Sequence, residues 1–517
     1  MRIFTVLQAL ISFSLISISH SMGTASFLNL DLSSTTLTPS TNGFTITGFA
    51  VDDQLGVSVS SAGDIDGDGY DDIIIGAYGW ASSRGAAYVI YGGQTSSLSD
   101  FLLGSTTLDP HTTGFSIFGG ATSDRLGFSV SSAGDINKDG FDDIIVGAFG
   151  VTSNKGAVYV IYGRERSSMT NFDFSSDTLN YLSTGFKLTG SAIGDSLGRD
   201  VSAAGDINND GYDDIIIAAY ANNNYRGAAY VIYGGEKSSL PNRDFGSFTL
   251  DPHTTGFVIK GQSDNDQVGW SVGTAGDINK DGYDDILVGA NGRSSSKGTV
   301  YVIYGGAKPS MSNFDFSSVT LNYLSTGFTI TGSTAYDVLG LSVSTAGDIN
   351  NDGYSDFIVG GRRLSYSGIA YVIYGGEKSS LPNLDFSSDI LLPATTGFTM
   401  VGAASDNLAW SISTAGDVNK DGYNDIIVGA HGRTLKGAAY VIYGGEKSSM
   451  SNFDFSSDTL NPRSMGLMIT GAAASDQLGW SVSTAGDINK DGYKDLIIGA
   501  FGRSGNTGAA YVIHTGK

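Results

Sequence analysis

A nine-residue run of oxygen-bearing side chains constrains this sequence most, because it recurs seven times at intervals of about 70 residues. The first copy reads Asp64-Ile-Asp-Gly-Asp-Gly-Tyr-Asp-Asp72. Positions 1, 5 and 9 are Asp in every copy, position 3 is Asp once and Asn six times, and position 6 is always Gly. Hard divalent cations bind six or more oxygens, and Gly permits the sharp turn that directs alternate side chains inward. A fixed period of this kind indicates a solenoid or a propeller.

The seven runs predict seven metal loops, each holding one Ca²⁺ through the side chains at positions 1, 3, 5 and 9 and the main-chain carbonyl at position 7. We number them loops 1 to 7 in chain order: 64–72, 135–143, 206–214, 277–285, 348–356, 417–425 and 487–495. The predicted ligands of loops 1 to 4 are Asp64, Asp66, Asp68, Tyr70, Asp72, Asp135, Asn137, Asp139, Phe141, Asp143, Asp206, Asn208, Asp210, Tyr212, Asp214, Asp277, Asn279, Asp281, Tyr283 and Asp285. Those of loops 5 to 7 are Asp348, Asn350, Asp352, Tyr354, Asp356, Asp417, Asn419, Asp421, Tyr423, Asp425, Asp487, Asn489, Asp491, Tyr493 and Asp495.

The EF-hand is the main alternative, because its loop also opens Asp-x-Asx-x-Asp-Gly. That loop needs a bidentate acid at position 12 and a helix on each side. Here position 12 is always Ile or Val, beginning with Ile75, and the flanks, such as Asp495–Ala500, are β-patterned. The sequence therefore excludes an EF-hand and favours a metal-bound turn between two β-strands.

The same loops account for the excess of acidic over basic residues. The formal net charge is −23, and seven divalent cations would reduce it to −9. We therefore interpret the acidity as metal sites, and we do not expect nucleic acid as a partner. The chain has no Cys, so no disulfide stabilises it, and metal binding is the expected substitute.

The N-terminus has the form of a secretory signal peptide. Met1-Arg2 precedes an uncharged apolar run from Ile3 to Ile18, and Ser19 and Ser21 are small residues suited to cleavage. We predict a signal peptide over 1–21 and a single propeller domain over 22–517. The apolar run is short for a membrane span, so we expect a protein that is secreted or at the cell surface and has no transmembrane segment.

Each repeat reads as four short strands bounded by Gly. In the last copy these are Leu467–Thr470, Trp480–Ser483, Asp495–Ile498 and Ala509–Ile513. Four strands per repeat are typical of a propeller blade, so we predict an all-β, seven-bladed β-propeller of four-stranded blades. A spare strand, Phe44–Thr47, precedes the first unit, and we predict that it closes the ring beside Ala509–Ile513.

These residues resemble the FG-GAP repeats of the integrin α-subunit propeller over roughly residues 27–517. Leu55-Gly56, Leu126-Gly127 and Leu478-Gly479 stand where the family has Phe-Gly; Gly76-Ala77-Tyr78, Gly147-Ala148-Phe149 and Gly499-Ala500-Phe501 stand for Gly-Ala-Pro, without its Pro. Leu28-Asn-Leu-Asp31 is similar to the Phe-Asn-Leu-Asp opening of integrin α chains. The resemblance implies calcium-binding blades and a role in adhesion.

A catalytic reading finds little support. Gly269-Trp-Ser-Val-Gly273 matches the Gly-x-Ser-x-Gly run of serine hydrolases, but that motif needs a strand-turn-helix setting, and here it lies within a predicted strand. Beyond the signal segment, His occurs only at His111, His253, His431 and His514. We predict that the protein is not an enzyme.

The face opposite the metal loops is the candidate ligand face. Between the third and fourth strands of each repeat, a loop carries cations and aromatic residues; these loops include 222–226, 291–297, 362–366 and 431–436. Each blade also places an Asp on this face: Asp53, Asp124, Asp195, Asp266, Asp337, Asp406 and Asp476. Two interpretations stay open, a ring of exposed Asp–Arg/Lys pairs of little energetic weight and a ligand platform.

The sequence thus predicts a secreted, monomeric, calcium-binding propeller that acts as an adhesion or ligand-binding module for an extracellular protein or a glycan. A carbohydrate-binding lectin is the alternative. A third class is an enzyme acting on a polysaccharide or lipid. The ligand itself cannot be read from the residues.

Overall fold

The computed structural model describes residues 29–103 and 108–516 of the chain. The predicted signal peptide over 1–21 lies outside the described residues. The described chain is all β in its regular structure and forms seven sheets arranged as a propeller, as the sequence predicts. We number the blades by the metal loop that each contains, and the strands of a blade from the central channel outward.

The strands have the following bounds. Blade 1 contains Val59–Gly63, Asp72–Ala77, Ala86–Ile90, Gly114–Phe118 and Phe172–Asp173. Blade 2 contains Leu126–Gly134, Asp143–Ala148, Ala157–Ile161, Gly185–Thr189 and Arg243–Asp244. Blade 3 contains Val201–Gly205, Asp214–Ala219, Ala228–Ile232, Gly256–Lys260 and Phe314–Asp315. Blade 4 contains Val268–Gly276, Asp285–Ala290, Thr299–Ile303, Gly327–Thr331 and Leu384–Asp385.

The remaining three blades follow the same order. Blade 5 contains Ser342–Gly347, Asp356–Gly361, Ile369–Ile373, Gly397–Val401 and Phe453–Asp454. Blade 6 contains Leu408–Gly416, Asp425–Ala430, Ala438–Ile442, Gly466–Thr470 and Leu30–Asp31. Blade 7 contains Ser481–Gly486, Asp495–Ala500, Ala509–Ile513, Gly43–Thr47 and Phe101–Leu102.

The sheets correct two details of the predicted blade. The repeat beginning at Leu467 is not one blade, because Gly466–Thr470 pairs antiparallel with Ala438–Ile442 of blade 6 and only the following strands form blade 7. Each blade also has a fifth strand of two residues, taken from a connector and parallel to the fourth. This connector strand covers the outer sheet edge, which would otherwise present unpaired main-chain groups.

The predicted ring closure is confirmed. Gly43–Thr47 pairs antiparallel with Ala509–Ile513, with Phe44 opposite Val512, and becomes the fourth strand of blade 7. Leu30–Asp31 pairs in parallel with Ile469 and Thr470 and becomes the fifth strand of blade 6. Two blades are therefore completed by residues from the other end of the chain.

The apolar core lies between neighbouring blades. The second and third strands, such as Asp72–Ala77 and Ala86–Ile90, are buried along their whole length, because each blade packs both of its faces against a neighbour. This explains why their apolar residues run continuously instead of alternating. One core cluster joins Ile73 and Ile75 of blade 1 to Ile497 and Val512 of blade 7, so the packing continues across the closure.

The connectors between blades pack against the rim, as predicted. Phe174 stacks on Tyr159 with ring centroids 4.0 Å apart, and Phe316 stacks on Tyr301 at 3.8 Å. The same stacking occurs in three further blades. These contacts hold each connector against the third strand of its own repeat.

Short helical turns are the other regular elements among the described residues. The four-residue turns Trp80–Ser83, Val151–Asn154, Asn222–Tyr225, Arg293–Ser296 and Arg503–Asn506 have left-handed backbone angles at their interior residues. The 3₁₀ turns are Arg166–Ser168, Lys237–Ser239, Lys308–Ser310, Leu364–Tyr366, Lys378–Ser380 and Arg433–Leu435. Among the described residues, no helix is long and apolar enough to cross a membrane.

Candidate metal sites and ligand face

The metal loops connect the first and second strands of each blade, all at one face of the ring. In loop 1, the Asp64 carboxylate accepts hydrogen bonds from the main-chain amides of Asp68 and Gly69, at 3.0 and 2.8 Å. The position-1 Asp accepts the amides of positions 5 and 6 in each of the other six loops as well. Gly at position 6 has a positive φ, 84° at Gly69, which an L side chain adopts only with strain. The sequence pattern therefore fixes the turn.

The position-9 Asp is completely buried in all seven loops. In loop 1, the two oxygens of Asp72 accept the amides of Ile65 and Gly92, at 3.0 and 2.7 Å. Burial, followed by the charge of Asp66, raises the pKa of Asp72 well above its usual range. Burial likewise raises the pKa of Asp425 to about 8. These carboxylates lack enough counter-charge of their own, which is the situation that a bound cation relieves.

The carboxylates of Asp64, Asp66 and Asp72 converge, with one oxygen from each lying within 4.8 Å of the others. In loops 2 to 5 the position-3 residue is Asn, and its amide nitrogen donates to the position-9 Asp, as from Asn137 to Asp143 at 2.8 Å. Its Oδ1 is then buried without a hydrogen-bond partner, at Asn137, Asn208, Asn279 and Asn350. An orphaned amide oxygen beside several carboxylate oxygens is an oxygen-only donor set, and it fits Ca²⁺.

The position-5 side chains and the position-7 carbonyls are the remaining predicted ligands. The position-5 Asp lies in every loop, where its Oδ1 accepts the position-7 amide at 3.0 to 3.3 Å. The role of the position-7 carbonyl, at Tyr70 in loop 1, stays a prediction. In loops 6 and 7, Oδ1 of the position-3 residue accepts the position-5 amide, at 2.9 Å from both Asn419 and Asn489.

Sequence reasoning missed a set of cations that enter the loops from the next blade. Arg166 pairs with Asp66 and Asp68 of loop 1, and Lys237 pairs with Asp139 of loop 2 at 2.6 Å. Lys308, Lys378 and Lys447 pair in the same way with Asp210, Asp281 and Asp352 of loops 3 to 5. We call these five residues the latch cations: Arg166, Lys237, Lys308, Lys378 and Lys447. The recurring run Tyr-Gly-Gly-Glu-Lys-Ser-Ser, as at 233–239, is the signal that could have revealed them.

Neighbouring loops are also joined directly. The position-8 carboxylate of Asp142 in loop 2 accepts the amide of Asp64 in loop 1 at 2.8 Å. Asp213, Asp284 and Asp71 make the same contact to the preceding loop. Burial and the neighbouring carboxylates raise the pKa of Asp142. These contacts join loops 7, 1, 2, 3 and 4 in series across the blade boundaries.

The opposite face corrects the predicted ring of ion pairs. The Asp residues preceding the first strands are buried, and each accepts the amide three residues earlier, as Asp53 does from Ala50 at 2.8 Å. In the part of the chain that the structure describes, two of them pair with a loop cation: Asp266 with Arg293 at 3.0 Å and Asp406 with Arg433 at 2.6 Å. Three other loop cations, Arg84, Lys155 and Arg226, pair instead with the connector residues Asp173, Asp244 and Asp315.

A patch in blade 5 stands apart on this face. The guanidinium of Arg362 lies over the Tyr366 ring, 4.9 Å from its centroid. Arg363 is exposed, and neither arginine takes part in the ion pairs of the described residues. The Arg362 amide donates to Asp337 at 2.7 Å, which brings the adjoining Tyr336 to the same patch. Tyr336 and Tyr366 are 65% and 55% exposed.

The channel mouth on this face is aromatic. On one side, Trp410 and Trp480 lie 4.7 Å apart, with His431 and Phe501 in contact with Trp480 at 4.8 and 4.3 Å. Burial lowers the pKa of His431 to about 4, so this imidazole is neutral at physiological pH. Across the mouth, Arg199 lies among four aromatic rings, the nearest being Phe128 at 4.1 Å. The channel cavity behind them measures about 270 Å³.

Comparison with known proteins now decides the repeat type. The FG-GAP repeat model matches residues 55–90, 126–161, 197–232, 268–303, 409–442 and 478–513. The chain contains six FG-GAP repeats. The matches omit the unit around loop 5, where Gly360-Gly361-Arg362 replaces the Gly-Ala pair that five of the other six blades carry. The unmatched unit therefore carries the exposed arginine and tyrosine patch.

The FG-GAP propeller is similar to parts of larger proteins. It is 29% identical to integrin alpha-V of Gallus gallus over 241 residues, which is 46% of this chain and 20% of that protein. It is 30% identical to phosphatidylinositol-glycan-specific phospholipase D of Bos taurus over 234 residues, 42% of this chain and 24% of that protein. The phospholipase D of Dictyostelium discoideum is 28% identical over 311 residues, 57% of this chain and 31% of that protein. The chain thus covers a fifth to a third of these relatives.

Proposed function

We propose that the protein is a secreted adhesion or ligand-binding module whose seven loops hold calcium and whose opposite face contacts an extracellular protein or glycan. The patch of Tyr336, Arg362, Arg363 and Tyr366 carries the ligand part of this proposal. Exposed aromatic and arginine side chains on loops held by a rigid scaffold are the residues that dominate binding energy at protein interfaces. In five other blades a cation of the equivalent loop is engaged in an internal ion pair instead: Arg84, Lys155, Arg226, Arg293 and Arg433.

The metal part rests on the donor set of the loops. The side chains at positions 1, 3, 5 and 9 would hold the ion, and the carbonyl at position 7 would complete the shell. A bound cation would supply the counter-charge that the buried position-9 carboxylates lack, and it would join two adjacent strands of the same blade. Calcium would therefore stiffen the scaffold rather than contact the ligand, because the loops and the blade 5 patch lie at opposite ends of the strands.

Glycan recognition is the second candidate, favoured by the channel mouth. Trp410, Trp480 and Phe501 present partly exposed rings around a neutral imidazole. Aromatic rings with a polar neighbour suit the flat apolar face and hydroxyl groups of a sugar. A Trp480→Ala variant would separate this site from the blade 5 patch.

The setting of Ser271 favours a binding role over a catalytic one. Ser271, the residue that matches a hydrolase nucleophile, lies inside the first strand of blade 4, and its hydroxyl donates to the Gly340 carbonyl at 2.9 Å. That contact joins blade 4 to blade 5, which is a structural role. The phospholipase relatives extend well beyond the matched region, and we do not transfer their activity to this chain.

The test compares two surface variants of the secreted protein. Arg362→Ala, Arg363→Ala and Tyr366→Ala together should abolish binding to immobilised glycans or extracellular matrix proteins without lowering the melting temperature. The matched control, Ile390→Ala with Leu392→Ala, removes two exposed apolar side chains from a connector and should bind as the original chain does. Unchanged binding by the triple variant would overturn the assignment of this face.

A further inference from the structure

We infer that the metal loops form two classes, because loops 1 to 5 each carry a competing cation from the next blade whereas loop 7 receives none from that blade among the described residues. Loop 7 is then the tightest calcium site among these six. The inference rests on the proposed calcium binding and goes beyond it by assigning the difference in affinity to one position of the repeat. At the repeat position of the latch cations, blades 2 to 6 carry Arg or Lys and blade 1 carries Thr95.

The five latch cations occupy equivalent positions. Lys237 follows the third strand of blade 3, and its ammonium lies 2.6 Å from Asp139 of loop 2. The same ammonium lies over the Tyr162 ring of blade 2, 5.0 Å from the centroid. The other four latch cations repeat both contacts, with ring distances between 4.6 and 5.1 Å. Each latch therefore supplies a positive charge to a predicted metal ligand and joins two blades.

The register of the chain places Thr95 at the latch position of loop 7. The Gly235 amide, two residues before Lys237, donates to the Ile136 carbonyl of loop 2 at 2.9 Å. The Gly93 amide, two residues before Thr95, donates to the Ile488 carbonyl of loop 7, also at 2.9 Å. The backbone contact is thus the same, whereas two side chains differ: Thr95 replaces the latch cation, and His514 replaces the Tyr ring beneath it, with its Nδ1 3.3 Å from Oδ2 of Asp495. The counterpart for loop 6 falls beyond residue 516, outside the described residues.

The position-5 carboxylate of loop 7, that of Asp491, shows what the missing latch cation leaves unpaired. Oδ2 of Asp139 is paired with Lys237, whereas Oδ2 of Asp491, the equivalent atom in loop 7, is buried and has no hydrogen-bond partner in the described part of the chain. A buried carboxylate oxygen without a partner is costly, and a bound cation would satisfy it. This orphaned oxygen is independent of the acidic composition of the loop and points to a cation there.

Electrostatics gives the direction of the effect. A latch cation neutralises the position-5 carboxylate before any metal arrives, and it repels a divalent ion that shares that carboxylate. Charges of +1 and +2 held about 5 Å apart change a binding constant by about tenfold even at the dielectric constant of water. Loops 1 to 5 should therefore bind calcium more weakly than loop 7 and depend less on it for stability.

The experiment introduces a cation at the latch position of loop 7 and removes the latch cation of loop 2. Calcium is titrated calorimetrically into the calcium-stripped secreted protein, and melting is followed with and without calcium. Thr95→Lys should weaken the tightest site about tenfold, whereas the neutral control of similar length, Thr95→Gln, should leave that site unchanged. Lys237→Gln should strengthen one further site and lower the calcium-free melting temperature.

The possible outcomes distinguish a failure of this inference from a failure of the proposed calcium binding. Equal calcium affinity in Thr95→Lys and Thr95→Gln, or weaker binding in Lys237→Gln than in the original chain, would overturn the inference and leave calcium binding intact. The second result would mean that the latch orients the carboxylate instead of competing for it. Absence of any calcium binding in the original chain would overturn the proposed function as well. If Thr95→Lys does not fold, Lys237→Gln decides the question independently.

Discussion

Gly76 of blade 1 and Gly127 of blade 2 are in such close backbone contact that a Cβ on Gly76 would lie 1.9 Å from the Gly127 carbonyl oxygen. The equivalent pairs Gly147 with Gly198, Gly429 with Gly479 and Gly499 with Gly56 are as tight, at 2.0 to 2.1 Å. These residues are the Gly of the Leu-Gly and Gly-Ala runs noted in the sequence. Both short motifs therefore allow the same close backbone contact between adjacent blades.

Gly76→Ala should destabilise the propeller by about 3 kcal/mol or more, because the added methyl group meets backbone atoms that cannot move aside. Gly306→Ala is the matched control, since its Cβ would meet side-chain atoms alone, the Ser310 hydroxyl at 3.1 Å and the Met311 sulfur at 3.7 Å. Chemical denaturation in saturating calcium measures both. Equal stability of the two variants would show that the blades separate easily at this contact.

Calcium removal should lower the melting temperature sharply. An ion that binds only the folded state at ten times its dissociation constant stabilises it by about 1.4 kcal/mol, or about 10 kcal/mol over seven independent sites. That total is comparable to the whole stability of a typical domain. Differential scanning calorimetry in millimolar calcium and in excess EDTA measures the difference. Magnesium should rescue poorly, because it demands tighter octahedral geometry, and identical curves in calcium and EDTA would contradict the metal assignment.

Asp200 should make stability depend on pH. Burial raises its pKa to about 6 despite the charge of Arg199 beside it. A carboxyl group whose folded pKa is raised stabilises the fold most below its unfolded pKa of about 4, and that stability is lost as pH rises through about 6. The difference in unfolding free energy between the original chain and Asp200→Asn should therefore change by about 2 kcal/mol between pH 4 and pH 7. A difference that is flat with pH would show that Asp200 is ionised normally.

The closing strand should be essential for a monomeric ring. Phe44 and Ile46 are fully buried where Gly43–Thr47 pairs with Ala509–Ile513. Phe44→Ala should cost about 3 to 5 kcal/mol, whereas Thr45→Ala, a partly exposed position on the same strand, should cost far less. Deleting 22–48 should expose the edge of Ala509–Ile513 and cause association, which size-exclusion chromatography would detect. A monomeric deletion variant with unchanged melting would contradict this role.

Local patterns in the sequence predicted most of the scaffold. The position-1 and position-6 residues set each turn through contacts within five residues, so the loops could be recognised from Asp64-x-Asp-x-Asp-Gly69 alone. The count of loops predicted the blade number, and the unmatched strand at 44–47 predicted the closure. The blade boundary was wrong, because a repeat in sequence begins with a strand that the tertiary structure assigns to the preceding sheet.

The sequence by itself determined the repeat, the turns and the buried strands, because these depend on residues that are neighbours along the chain. Only the tertiary structure decided which charges meet. Arg84 pairs with Asp173, 89 residues away on the connector strand that completes the same blade, and Lys237 of blade 3 reaches Asp139 of blade 2 across 98 residues. Such partners are set by where the connectors and the neighbouring blades are placed, and that placement depends on the packing of the whole ring. The same packing leaves the Asp491 carboxylate of loop 7 without an ion pair among the described residues.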